Sequence, residues 1–75
     1  MAENITFEII GEQKMHCAGC ELAIQQSLSR LPGVCQVQAN RRTQRVVVRL
    51  EPAQISDEAV QARLANAGYD VEQRA

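Results

Sequence analysis

The chain has 75 residues, 45% hydrophobic and 23% charged, with a formal net charge of −1 at pH 7. This length accommodates one domain on a single hydrophobic core, so we treat 1–75 as a single domain. The small net charge and the scarcity of aromatic residues argue against a surface for nucleic acid or for an anionic membrane.

No apolar run is long enough to span a membrane, and the N-terminus lacks the basic and apolar regions of a secretory signal. We therefore expect a cytoplasmic protein without stable membrane insertion, in which thiols stay reduced. The three cysteines are an odd number, which argues further against a framework of disulfides.

The first half of the chain predicts a strand followed by a helix. Ile5, Phe7 and Ile9 alternate with polar residues, which is typical of a strand and places one over 4–11. A helix is predicted over 20–31 because the apolar residues recur at helical spacing, and the Pro-Gly pair that follows ends it. The apolar positions of this helix are Ile24, Leu28 and Leu31.

The second half predicts a hairpin, a helix and a short strand. Strands over 34–40 and 44–50 are joined by a short polar turn, which indicates antiparallel pairing. Ser56 is a good N-cap for a helix over 57–67, and Gly68 is placed to end that helix. Residues 69–74 form the last predicted strand.

The predicted order β-α-β-β-α-β is that of a ferredoxin-like α+β sandwich, with two helices on one face of a four-stranded antiparallel sheet. This connectivity brings three loops to one end of the domain: 14–19, 40–43 and 66–69. Cys35 begins at the opposite end and alternates with Gln36 on the second strand. We expect it to be a small core residue on the face of Val37 and Ala39.

Cys17 and Cys20 form a C-x-x-C pair where the first strand gives way to the first helix. The start of a helix stabilises a thiolate, because its free N–H groups and its dipole are positive there. Two thiolates without carboxylates favour a soft ion, Cu(I) first, with Zn(II) and other thiophilic ions as alternatives. A closed structural zinc site has four ligands, so this pair indicates an ion that can be transferred.

Residues 15–20 read Met-His-Cys-Ala-Gly-Cys, and the chain here resembles the heavy-metal-associated (HMA) domain family, whose signature is M-x-C-x-x-C. The resemblance extends to Leu-Pro-Gly-Val at 31–34 and Gly-Tyr at 68–69, and the chain looks like a soluble bacterial copper chaperone of this family. It implies that Cys17 and Cys20 bind Cu(I) and pass it by ligand exchange to the metal-binding domain of a copper-transporting P-type ATPase. It also implies that Met15 packs inward beneath the loop.

Two neighbours of the thiols are accessory candidates. His16 is interpreted as an exposed loop residue or as a weak third ligand. Tyr69 lies at the same end by topology, where it would shield the metal or donate a hydrogen bond toward a sulfur. Arg41 and Arg42 form a solvated turn or, with Lys14, a positive rim that guides docking to an acidic partner.

Several other functions remain open on the sequence. A carrier or sensor of Zn, Hg or Cd uses the same ligands, and a dithiol redox protein uses a similar C-x-x-C pair. The chain also fits an excised domain of a transporter. It shows no constellation of catalytic residues, so we expect no enzyme activity. We expect a monomer, with a metal-bridged dimer as the alternative.

Overall fold

The computed structural model describes residues 2–74 and has the expected order of elements. The strands and helices are β1 (Glu3–Ile9), α1 (Ala18–Ser29), β2 (Val34–Asn40), β3 (Arg45–Leu50), α2 (Asp57–Asn66) and β4 (Val71–Arg74). The fold is therefore the ferredoxin-like α+β sandwich that the sequence predicts.

The four strands form one sheet in the order β2-β3-β1-β4, and all neighbouring pairs are antiparallel. In β1, Phe7 lies opposite Val46 of β3 and Gln73 of β4. The apolar side chains of one sheet face pack against the two helices, and burying them supplies most of the driving force for folding. The buried core consists of Phe7, Ile9, Met15, Ile24, Leu28, Val37, Val46, Val48, Leu50, Val60, Leu64, Tyr69 and Val71.

The opposite face of the sheet is polar. The Glu8 carboxylate lies 3.0 Å from Arg74 and 3.7 Å from Arg45, which joins the three neighbouring strands β4, β1 and β3. These groups are partly exposed to water, so the pairs contribute little to stability, each about 0–1 kcal/mol.

The element boundaries differ from the predicted ones by at most two residues, and by two at the end of β1, the start of β4 and both ends of the first helix. That helix begins at Ala18, two residues earlier than predicted, because Cys17 already adopts the extended conformation of an N-cap. It also ends two residues earlier, at Ser29, with Arg30 as C-cap. The second helix has the predicted Ser56 cap, whose Oγ accepts a hydrogen bond from the Ala59 N–H at 3.2 Å.

The prediction that Cys35 is a core residue is wrong, because its side chain is exposed. The reason is an irregularity in the pairing of β2 with β3. Val34 lies opposite Leu50 and Gln36 lies opposite Arg49, so Cys35 is the extra residue of a β-bulge. A bulge interrupts the alternation of faces, and the residue that alternation assigns to the core then points elsewhere.

The strand pairing fixes the two ends of the sheet. Val34, Leu50 and Glu3 are aligned across β2, β3 and β1 at one end. The connection carrying the C-x-x-C pair leaves β1 at the other end, where Ile9 pairs with Val71. Cys35 is thus at the end opposite to the other two cysteines, as the topology predicts.

Neither of the two described helices is long and apolar enough to cross a membrane.

Candidate functional site

The first helix places both cysteines of the C-x-x-C pair at its N-terminus. Cys17 is the N-cap, with φ −152° and ψ 172°, and its carbonyl accepts hydrogen bonds from the N–H groups of Cys20 (3.1 Å) and Glu21 (3.3 Å). The Cys17 side chain caps no helical N–H group. Its sulfur is therefore left available for another ligand.

The two sulfur atoms converge on the surface. Their Sγ–Sγ distance is 3.8 Å, with Cys17 exposed and Cys20 half-buried, and both are free thiols. At the 2.3 Å length of a zinc–thiolate bond, sulfurs on one ion lie about 3.8 Å apart at the tetrahedral angle and about 4.6 Å apart on a line. The pair can therefore hold one ion in a bent arrangement as it stands, and in a linear one after opening by less than about 1 Å.

The surroundings lower the pKa of Cys20 below its ordinary value of 9.0. The main cause is the backbone N–H of His16, which faces the sulfur, followed by the thiol and then the backbone N–H of Cys17. Burial opposes the shift, and the Tyr69 hydroxyl adds a small contribution in its favour. Cys20 is therefore disposed to ionise, and a thiolate is the form that binds metals.

Tyr69 lies beside Cys20, as its position in the topology predicts. Only 8% of its surface is exposed, and its ring belongs to the hydrophobic core. Its pKa is raised, first by burial and then by the negative charge that develops on Cys20. The phenol therefore stays protonated at neutral pH, when it can donate a hydrogen bond toward the sulfur.

Met15 packs inward beneath the loop, as the family resemblance implies. Its side chain is 2% exposed and contacts the core. Its backbone is held by the side chain of Gln44, which accepts from the Met15 N–H and donates to the Met15 carbonyl, both at 2.8 Å. Gln44 was not predicted as a site residue, because its position in the sequence indicates the start of the third strand, whereas β3 begins at Arg45.

His16 is exposed and is the residue between Met15 and Cys17. Within residues 2–74, no group of three or more His, Cys, Asp or Glu side chains is arranged to hold a metal ion. The two sulfurs therefore stand without a third preformed ligand in the described chain.

The three cations of the suggested rim have different surroundings. The Arg41 guanidinium is paired with Glu21, with 3.0 Å between Nη1 and Oε1. The Lys14 ammonium donates to the Ile9 carbonyl at 2.8 Å. Arg42 is exposed, and its backbone N–H donates to the Asn40 side chain at 2.9 Å. The positive charge at this end is therefore smaller than three unpaired cations would give.

Most of the chain matches one known domain family. Residues 13–70, which include both cysteines and Tyr69, match the model of the heavy-metal-associated domain. The chain belongs to this family. The HMA fold is completed outside the matched segment by β1 and by β4.

Similar proteins include ATPases and a small metal-binding protein. The chain is 40% identical to a zinc-transporting ATPase of Synechocystis sp. over an aligned segment of 55 residues, and this segment covers 73% of the chain. The chain is 35% identical to a copper-exporting P-type ATPase of Bacillus subtilis over an aligned segment of 69 residues, and this segment covers 92% of the chain. A putative copper-ion-binding protein of Bacillus anthracis superposes with a TM-score of 0.85 at 29% identity, covering 96% of this chain and 97% of that one.

The two ATPases are much longer than the HMA domain they share with this chain. The matched segments amount to 8% of the length of each ATPase. The likeness therefore concerns a metal-binding domain of these proteins and not their transport machinery.

Proposed function

We propose that this HMA domain is a cytoplasmic carrier of Cu(I), which binds between Cys17 and Cys20 and passes to the metal-binding domain of a copper-transporting P-type ATPase. The observation that carries the proposal is the pair of free sulfurs 3.8 Å apart at the N-terminus of α1. The protein would bind and transfer the ion without catalysing a reaction.

The donor atoms favour copper over the other candidates. Both are sulfur, and thiolates select soft ions such as Cu(I). Zinc in a closed protein site has four ligands, whereas the described residues preform only two. A carrier or sensor of Zn, Hg or Cd remains the alternative, and the similarity to a zinc-transporting ATPase is the observation that supports it.

Exposure of the pair suits transfer by ligand exchange. An incoming thiolate from the partner reaches the ion beside the exposed Cys17, forms a new metal–sulfur bond, and one of the original bonds then breaks. The oxidation state of copper is unchanged, so no external electron donor or acceptor is required. Two large apolar side chains at this end, Ile10 and Leu22, are about half exposed and offer contact area to a transient partner.

The transfer itself can be measured directly. We expect Cu(I)-loaded protein, mixed without oxygen with the apo N-terminal domain of a copper-exporting P-type ATPase, to share its copper with that domain at equilibrium. Loading would be followed by the amide chemical shifts of the cysteine loops in both proteins.

Two comparisons make this experiment decisive. The Cys20→Ser variant should fail to retain copper during the same procedure, whereas Cys35→Ser should behave as the native chain does. Copper that stays on the native protein despite an excess of the ATPase domain contradicts the transfer role. If the protein retains Zn(II) in preference to Cu(I) when the two ions compete for it, the assignment of Cu(I) as the carried ion is wrong.

A further inference from the structure

The loop that carries Cys17 is held by Gln44, which lies 29 positions after Met15 in the chain. The Gln44 side chain pairs with both backbone groups of Met15: Oε1 accepts from the N–H and Nε2 donates to the carbonyl, each at 2.8 Å. One amide thereby reproduces the two-bond exchange between neighbouring strands. Together with the buried Met15 side chain, it fixes the backbone two residues before Cys17.

Gln44 is itself held rigidly. Its φ of 56° lies in the left-handed region, where only Gly and, less often, Asn and Asp are found routinely. Its carbonyl accepts from the Ile9 N–H at 2.8 Å, and Nε2 also donates to the Arg41 carbonyl at 2.6 Å. A strained backbone that the surrounding contacts maintain is a feature that clusters at functional sites.

The same turn also contacts the helix on the other side of the cysteine pair. The Arg41 N–H donates to Glu21 Oε2 at 2.7 Å, and the Arg41 guanidinium donates to Oε1 at 3.0 Å. Glu21 directly follows Cys20, as Met15 shortly precedes Cys17. The turn over 41–44 therefore holds the chain on both sides of the C-x-x-C pair.

We propose that Gln44 is a positioning residue, which holds the backbone at Met15 and thereby presets the approach of the Cys17 sulfur to Cys20 before any metal binds. A site that is ordered in advance loses less conformational entropy on binding, and this raises its affinity. The effect on copper rests on the proposed function, but the effect on the metal-free loop does not.

The test uses Gln44→Asn, which keeps the amide and tolerates the left-handed backbone but is one methylene too short to span both Met15 groups. In the metal-free protein we expect the Met15 amide to exchange its hydrogen at least about tenfold faster, because its acceptor is lost. The amide of Val48, in the centre of the sheet, should exchange at a nearly unchanged rate. Gln38→Asn, on the exposed part of β2, is the matched control and should change neither.

Copper affinity gives the second readout. Without these hydrogen bonds the loop must be ordered when the metal binds, so Cu(I) binding should weaken about five- to tenfold. An unchanged exchange rate at Met15 overturns the proposal, and so does faster exchange with unchanged copper affinity. If native protein fails to bind Cu(I) through its thiols, the proposed function fails, while hydrogen exchange still decides whether Gln44 orders the loop.

Discussion

Cys20 shows at the scale of single residues how the fold prepares a thiol. Its sulfur lies at the third position of α1, faces the His16 N–H and neighbours the Cys17 thiol, and these contacts lower its pKa. Because the folded-state pKa lies below the ordinary 9.0, ionisation of Cys20 stabilises the fold fully only above that ordinary value. This contribution is lost as the pH falls through the folded-state pKa.

The Tyr69 hydroxyl makes the smallest of the contributions that lower the pKa of Cys20, and Tyr69→Phe tests it. The substitution keeps the buried ring and removes the hydroxyl, so the pKa of Cys20 should rise toward 9.0 while the fold is retained. An NMR titration of the Cys20 Cβ shift against pH in metal-free protein measures the change. A midpoint that stays the same or falls would show that the hydroxyl does not stabilise the thiolate.

Two residues show where the sequence was insufficient at this scale. Cys35 fits the alternation of apolar and polar residues in β2. No glycine or proline within that strand indicates the bulge that exposes it. Gln44 carries no turn signal of the usual kind, although its φ is positive. Its contacts to Met15 depend on how the hairpin docks on the loop, which local sequence patterns do not encode.

The helices and strands themselves were largely predictable. Period, turn residues and caps agree along the chain, so each element was found with its boundaries shifted by two residues or fewer. The start of α1 was the informative difference, because placing the N-cap at Cys17 brings both cysteines to the end of one helix. A thiol is rarely expected as a cap, since Ser, Thr, Asp and Asn are preferred there.

Two glycines that follow the helices provide a matched test at the scale of elements. Gly33 and Gly68 both have positive φ, 92° and 98°. A Cβ on Gly33 would lie 2.8 Å from Ile55 Cγ2 and 2.9 Å from Gln54 Cβ, whereas one on Gly68 would meet nothing within 4 Å. Gly68→Ala should therefore lower the free energy of unfolding by about 1–2 kcal/mol, the cost of the backbone conformation alone.

Gly33→Ala should lower the free energy of unfolding further, by about 2–4 kcal/mol, since overpacking adds to the backbone cost. Urea denaturation of the metal-free variants measures both values. Equal losses for the two variants would show that the connection between β3 and α2 moves aside without cost. Gly33 lies at the end of the sheet opposite to the cysteines, so an unchanged Cu(I) affinity of Gly33→Ala is the internal check that only stability has changed.

At the scale of the whole molecule, the cysteine pair lies at one edge of the hydrophobic core, with Cys20 packed against it. The core lies between the sheet and the helices, while Cys17 is at the surface of one end. The domain can therefore present a reactive pair without exposing its core. The net charge of −1 is small, and Arg41 is already paired with Glu21, so any electrostatic attraction of a partner must be local to this end.

The central claim is that Cys17 and Cys20 together bind one Cu(I) ion, and competition with a chromophoric Cu(I) chelator under anaerobic, reducing conditions tests it most directly. The native chain and Cys35→Ser should take one equivalent of copper from the chelator. Cys17→Ser and Cys20→Ser should each lose at least about a hundredfold in affinity, which corresponds to about 2.8 kcal/mol for the loss of one of two ligands. A variant lacking both thiols that still binds one equivalent as tightly as the native chain would contradict the account.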